Sequence, residues 1–335
     1  MRPEFVTFTS GGTEANNLSI MGVIMQLRQN CREFTDMEVV TTRIEHPSVT
    51  NAMAALERRG VVVKYVDVDE EGFVKLDHLR ELLSEKTVFF SVAYANSEIG
   101  VVQKLHGIKK ALREAEEKFG TKIMFHLDAA QTPLWLNCQL DATQADLLSL
   151  DAGKFCGPKG VGILVRSRRV ELTAAAYGGG QEAGLRPGTE NVAGIVGAAV
   201  ALETTQRDWH GRAERARQVR DEGIKRLLET VPGAILNGPE GEDRLANNIN
   251  ISIPGLDTEY AAVWLDSKGF AVSTKSACSG AGGGESVVVK AISNDTARAA
   301  STLRITLGPE TTIEELKRLA AEIASHRSMM RTLTQ

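Results

Sequence analysis

Up to about residue 166 the chain alternates short β-rich apolar runs with segments whose apolar positions recur every three to four residues. The runs MEVVTTR (37–43), VVVKYVDV (61–68), TVFFSVAY (87–94), KIMFHLD (122–128), ADLLSL (145–150) and VGILVR (161–166) predict strands. Between them, PSVTNAMAALERR and IKKALREAEEKF carry helical spacing. This alternation predicts an α/β fold, a mainly parallel sheet flanked by helices on both faces. Ligands of such sheets bind beyond the carboxyl ends of the strands. Polar residues just past those ends are therefore the first to inspect for chemistry.

A long helical stretch is predicted over about 190–229, and its highly charged second half reads as a bridge between two domains. Beyond it, ANNINISI, a helix near 258–268, a glycine-rich loop, STLRITL and the final helix TIEELKRLAAEIASH form a smaller α/β unit. The predicted division is a large domain over 1–208 and a small C-terminal domain over 209–335. There is no internal repeat, and the loop STKSACSGAGGGES (273–286) is the one low-complexity tract.

Composition narrows the class. A chain of 335 residues, 42% apolar and 24% charged, is of ordinary soluble globular type. A net charge of −4, from 39 basic and 43 acidic residues, lacks the basic footprint of a nucleic-acid binder. MRPEFVTFTSGG has neither the charged nor the apolar region of a signal peptide, and no apolar run approaches the roughly 18 residues of a membrane span. A cytoplasmic protein without nucleic-acid or membrane partners is the expectation. Cys31, Cys138, Cys156 and Cys278 show no C-x-x-C spacing, which argues against a disulfide framework or a zinc site, and no metal is expected. Three of them read as packing residues. Cys278 differs, because it heads the glycine-rich loop, whereas buried cysteines sit in apolar runs. A P-loop reading of GAGGGES fails, since no lysine follows the last glycine.

Four further stretches invite chemistry. TSGGTEANNLSIMGVIMQL sets Gly11, Gly12 and Thr13 ahead of an apolar-periodic helix, which makes either an anion site or a plain N-cap. Asp128 closes an apolar strand, where a carboxylate is costly unless something cationic meets it; a capping aspartate is the alternative. Lys154 follows ADLLSLDAG and precedes the tight turn FCGPKG, and taken alone a lysine is most simply solvated. His46 sits where a strand gives way to a helix, a place where histidine also caps.

In order along the chain, TSGGTEANN, EHPSV, NSEIG, HLDAAQ, a lysine before GPKGVG, RPGTEN and SACS resemble the cysteine desulfurases. These are pyridoxal-phosphate-dependent enzymes of fold type I within the class-V aminotransferase family. The resemblance runs from about residue 7 to the last helix. It implies that Lys154 forms the Schiff base with pyridoxal 5'-phosphate and shuttles the substrate's α-proton. Asp128 would pair with the pyridinium nitrogen, keeping the ring an electron sink. Gln131 would bond the ring hydroxyl and His46 would stack on the ring, with Ser97 nearby. Gly12, Thr13 and Thr189, the last from the neighbouring subunit of a homodimer, would hold the phosphate. Arg304 would take the substrate carboxylate, assisted by Asn96. Cys278 would be the nucleophile: L-cysteine becomes L-alanine, and its sulfur moves to Cys278 as a persulfide for an iron–sulfur scaffold or a tRNA-thiolation enzyme. A free thiol with a pKa of about 8.5 is mostly protonated at neutral pH, so local activation is implied.

Three departures from the family pattern stand out. Where serine-x-histidine usually precedes the lysine, this chain has Asp151, Ala152 and Gly153. An aspartate beside a phosphate is electrostatically awkward, so its side chain is expected to turn away or to serve another role. Ser97 replaces an asparagine. The family's N-terminal strand and its DNAATT-like segment are absent, which implies that part of the active-site wall is missing. The competing readings are a selenocysteine lyase or another enzyme of the same fold, and a non-catalytic dimer acting as a binding scaffold. Joint retention of Lys154, Asp128, Arg304 and Cys278 favours the desulfurase.

Overall fold

The computed structural model describes residues 2–274 and 284–333. They form two compact units, one of Met1–Asp67, Val74–Ala95 and Gln103–Trp209, the other of Val68–Phe73, Asn96–Val102 and His210–Gln335. The second unit is thus built from three stretches of chain rather than one.

The first unit contains β1 (Val6–Thr9), α1 (Gly12–Gln29), β2 (Glu38–Thr42), α2 (Pro47–Glu57), β3 (Val62–Val66), α3 (Leu76–Leu82), β4 (Thr87–Ala93), α4 (Leu105–Phe119), β5 (Met124–Asp128), α5 (Leu140–Thr143), β6 (Leu147–Asp151), β7 (Gly162–Arg166) and α6 (Val192–Arg207). Its seven strands run in the order β1-β7-β6-β5-β4-β2-β3. From β3 to β6 neighbours are parallel, and β7 is antiparallel to both β6 and β1. The sheet is mostly parallel and flanked by helices, as the alternation predicts.

Strand periodicity divides the apolar residues between two faces. Val40, Phe90, Phe125 and Leu148 join Ile108, Leu112 and Ala115 of α4 in one core. Their chain neighbours Val39, Phe89 and Leu147 join Leu18 and Ile24 of α1 and Met53 and Leu56 of α2 in the other. Runs apolar on both faces therefore mark strands covered on both sides.

Reversal of β7 decides where the site can form. It returns the chain so that β1 points the same way as β2 to β6. The start of α1, just after β1, consequently opens at the edge where those strands end. Gly162 of β7 lies opposite Thr9, and a Cβ there would press into the Gly11 carbonyl and the Thr9 hydroxyl.

The second unit contains α7 (Trp209–Thr230), β8 (Ile235–Leu236), β9 (Asn248–Ser252), α8 (Thr258–Ser267), β10 (Ser273–Thr274), α9 (Val287–Ser293), α10 (Thr296–Ala300), β11 (Thr302–Thr306) and α11 (Ile313–Leu333). An antiparallel sheet, β10-β11-β9-β8, packs Ile249, Ile251, Leu303 and Ile305 with Leu227 of α7 and Leu316 and Ile323 of α11. Among the described residues no helix is long and apolar enough to cross a membrane.

Two local expectations are corrected. The stretch predicted as one helix over 190–229 breaks at Asp208, whose φ of −132° and ψ of 37° are not helical. Of the cysteines read as packing residues only Cys138 is buried; Cys31 and Cys156 are exposed. Both exposed cysteines occupy left-handed positions, with φ of 67° and 63°, in turns that do not enter a core.

Gly162→Ala is expected to lower the stability of the first unit by about 1–3 kcal/mol, the usual cost of forcing a methyl into a packed site. A thermal melt checks this, and a melt equal to that of the unsubstituted protein would show that β1 and the Gly11 turn yield freely.

Candidate active site

Asp128 stands at the carboxyl end of β5, almost fully buried. Its Oδ2 accepts a hydrogen bond from Asn16 Nδ2 at 2.8 Å and its Oδ1 accepts from Ala130 N–H at 3.1 Å. Burial raises the Asp128 carboxyl above its usual range; these two donors and His46 pull it back, and Asp151 pushes it further up. No lysine or arginine among the described residues forms an ion pair with it. A carboxylate offers about four acceptor sites, so a further donor can be received.

A single network joins Asp128 to His46. Asn16 Nδ2 also donates to Ser48 Oγ at 2.9 Å, and Ser48 Oγ lies 2.8 Å from His46 Nδ1. His46 is the N-cap of α2, with Nδ1 accepting from Ser48 N–H at 3.1 Å. In the neutral ring this places the proton on Nε2. The capping reading of His46 holds, and the cap fixes the ring. Asn16 Oδ1 is buried without a hydrogen-bond partner among the described residues.

Glu45, one residue before His46, is a second buried carboxyl. Thr42 Oγ1 donates to its Oε1 at 2.6 Å, while its Oε2 is buried and unpartnered among the described residues. Burial, with the nearby Asp128, pushes it up to about 8. Deeper in β5, His126 is held between Ser91 Oγ at 2.8 Å and Ser149 Oγ at 3.0 Å. Burial lowers it to about 3, so it is a neutral strut beneath Asp128.

Lys154 ends the short 3-10 turn Ala152–Lys154 that follows β6, and it is exposed at the strand-end edge. Asp151 shapes that turn: its Oδ1 accepts from Gly153 N–H at 3.0 Å. Its Oδ2 accepts from Gly12 N–H, at the start of α1, at 2.9 Å. The carboxylate therefore does not turn away from the anion seat but fills it. Thr13 is exposed in the first turn of α1, and Gln131 is half-buried in the turn after β5.

Thr189 is exposed on a segment fastened to its own chain, where Glu182 accepts from Phe8 N–H at 2.9 Å and Arg186 pairs with Glu14 at 3.2 Å. Asn96, Ser97 and Arg304 belong to the second unit. Asn96 Oδ1 accepts from Glu98 N–H at 2.8 Å and Ile99 N–H at 3.0 Å, so it braces its own turn. Arg304 donates to the Ser97 carbonyl at 3.3 Å, and its Nε is buried without a partner among the described residues. Cys278 lies outside the described residues. Before it, Ser273 of β10 sits opposite Arg304; after it, Ser286 Oγ donates at 2.7 Å to Glu98, whose carboxyl feels Arg304.

Of the residues gathered around Asp128, the sequence singles out Lys154 and His46 but not Asn16, Ser48 and Glu45. All three lie inside the motifs TSGGTEANN and EHPSV, so position within those motifs is the available signal.

Glu45 links this site to pH. Its folded value of about 8 exceeds its ordinary 4.5, so the folded protein holds a proton that the unfolded chain has lost. Stability should therefore fall as pH rises from about 4.5 to about 8 and level off above, by at most about 1.4 kcal/mol per pH unit. Glu45→Gln should flatten that slope in cofactor-free protein, as followed by urea denaturation across the window. An unchanged slope would mean that Glu45 ionises freely.

The class-V aminotransferase family matches residues 2–319. The chain is 38% identical over 311 residues to a cysteine desulfurase IscS of Dictyoglomus turgidum, covering 93% of this chain and 76% of that protein. A solved NifS-like protein superposes with a TM-score of 0.87 at 32% identity, covering 98% of this chain and 84% of that one. The structure of SspA in complex with cysteine superposes with a TM-score of 0.74 at 30% identity, covering 92% and 82%. With the motifs in order and this sheet beneath them, the chain belongs to the class-V aminotransferase family and, within it, to the pyridoxal-phosphate-dependent cysteine desulfurases.

Proposed function

We propose that the protein moves the sulfur of L-cysteine onto Cys278 and passes it as a persulfide to an iron–sulfur scaffold, leaving L-alanine. The observation that carries this reading is Asp128, a buried carboxylate with spare acceptor capacity at the edge that presents Lys154. A pyridinium N–H supplies the charged donor that such a carboxylate lacks, so the ring end of pyridoxal phosphate fits. At the phosphate end, the Gly12 N–H and the Thr13 hydroxyl in the first turn of α1 are the donors that would hold the group, with the Asp151 carboxylate on the same Gly12 N–H as a competitor. When bound, the cofactor supplies an electron sink for the substrate's α-carbon.

The chain's own residues do the rest. Lys154 Nζ would hold the cofactor and, once released, would take the α-proton of L-cysteine. His46, its ring fixed by Ser48, would stack on the cofactor, and Gln131 would bond the ring hydroxyl, with Ser97 a further cofactor-binding residue that the family resemblance implies. Thr13, the partner's Thr189 and, once Asp151 yields its N–H, Gly12 would hold the phosphate. Arg304, next to the turn that Asn96 braces, would receive the substrate carboxylate. The thiolate of Cys278 attacks the substrate's sulfur; the new S–S bond forms as the Cβ–S bond breaks, and Cβ gains a proton to give alanine. Anchoring the two described flanks of the Cys278 segment near Arg304 supports this approach.

Assignment of Thr189 to a neighbouring subunit requires a homodimer. Val192, Val196 and Val200 of α6 are 65%, 56% and 58% exposed at a four-residue spacing, an apolar stripe suited to a second copy. A reducing cytoplasm suits a catalytic thiol. A tRNA-thiolation enzyme is the other acceptor that the family resemblance offers.

Incubation with L-cysteine and pyridoxal phosphate should yield alanine and sulfide in equal amounts when a small thiol is supplied. Lys154→Ala should lose the borohydride-trappable linkage, and Cys278→Ser should keep the cofactor spectrum while sulfur release drops at least a hundredfold. Alanine production without release of sulfur, or undiminished sulfur release by the Cys278 variant, would sink the reading.

A further inference from the structure

The Asp151 carboxylate sits against Gly11 and Gly12, where an added Cβ would meet its Oδ2 at 3.6 and 3.3 Å. It binds Gly12 N–H through Oδ2 and Gly153 N–H through Oδ1. Glu14 takes a second N–H at the same helix start, that of Ser10, at 2.6 Å. One of this chain's own carboxylates thus occupies a donor that the helix start offers to an incoming anion, and a second ties down the turn just before it. Family sequences usually place serine at the Asp151 position and histidine at the Gly153 position. This chain replaces a neutral hydroxyl and a ring by a full negative charge and a bare backbone.

We propose that Asp151 is a specificity-determining residue for the cofactor: it competes with the phosphate for the start of α1 and so lowers the preference for phosphorylated over unphosphorylated pyridoxal. The proposal rests on Lys154 and Asp128 receiving the ring. To accept a bond from Gly12 N–H, the phosphate must displace the carboxylate and remain near its charge in a partly desolvated seat. Like charges a few ångströms apart repel strongly there. The aldehyde and the ring nitrogen meet Lys154 and Asp128 instead, so pyridoxal, which lacks the phosphate, escapes the competition. The ratio of the two affinities isolates the phosphate contribution.

The test measures equilibrium dissociation constants of pyridoxal phosphate and pyridoxal, by absorbance and fluorescence titration, for the unsubstituted protein and for Asp151→Asn and Asp151→Ser. Asparagine keeps the shape and an acceptor oxygen without the charge, and serine restores the usual residue. Both should tighten pyridoxal phosphate at least tenfold while pyridoxal changes less than threefold. Inorganic phosphate should compete with pyridoxal phosphate more effectively in the variants. Borohydride trapping of pyridoxal on Lys154 in all three proteins shows that the ring site is intact. If pyridoxal is trapped and the affinity ratio is unchanged in both variants, Asp151 does not compete and the proposal is wrong. If neither compound is trapped on Lys154 of the unsubstituted protein, it is the functional reading that fails. Should one variant lose pyridoxal trapping through damage to the Gly153 turn, the ratio in the other decides.

Discussion

Burying a carboxylate at the end of a sheet strand carries a desolvation penalty that hydrogen bonds only partly offset. Asp128 meets that constraint with one side-chain donor and one backbone donor, and its carboxyl still lies above the ordinary range. The residues around it follow from this. Asn16 must come from α1, and the same amide group must also steady Ser48 and, through it, His46. The site is therefore held in a poised state in which a charged donor is wanted and the geometry to receive it is already set. Enzymes that stabilise charge rely on such preorganisation, because polar groups fixed beforehand need no rearrangement during reaction.

Sheet topology makes this convergence possible. Parallel strands deliver Asp128 and Lys154 to one edge from neighbouring positions, β5 and β6. The antiparallel β7 adds the start of α1 to that edge by returning the chain for β1. Close packing of Gly162 against the Gly11 turn ties the start of α1 to the sheet itself. Fold and function meet in backbone directions as much as in side chains. The same edge also explains why Asp151 can matter: it ends β6 and faces the helix that begins after β1, far away in sequence but adjacent in the sheet.

Periodicity in the sequence located the central strands and the long helices, because apolar patterns there are long and consistent. It passed over β1, α9 and α10, which are four, seven and five residues long and too short to show a period. It also joined α6 to α7, since nothing in the charge pattern marks the non-helical backbone of Asp208. The chemistry divided in the same way. Asp128, Lys154 and His46 could be singled out by their positions at strand ends. Asn16 could not, because its importance depends on a hydrogen bond to a residue 112 positions away. The direction taken by Asp151 was likewise left open by the sequence; capping of Gly12 across 139 positions settles it.

The central claim is that the charge stored on Asp128 keeps the cofactor's ring nitrogen protonated. The most direct measurement is the nitrogen NMR shift of pyridoxal phosphate labelled at the ring nitrogen and bound to the protein, compared between Asp128 and an Asp128→Asn variant. The account predicts a protonated pyridinium shift with aspartate and a shift toward neutral pyridine with asparagine. A pyridinium shift retained in the variant, or a neutral ring in the unsubstituted protein, would contradict it.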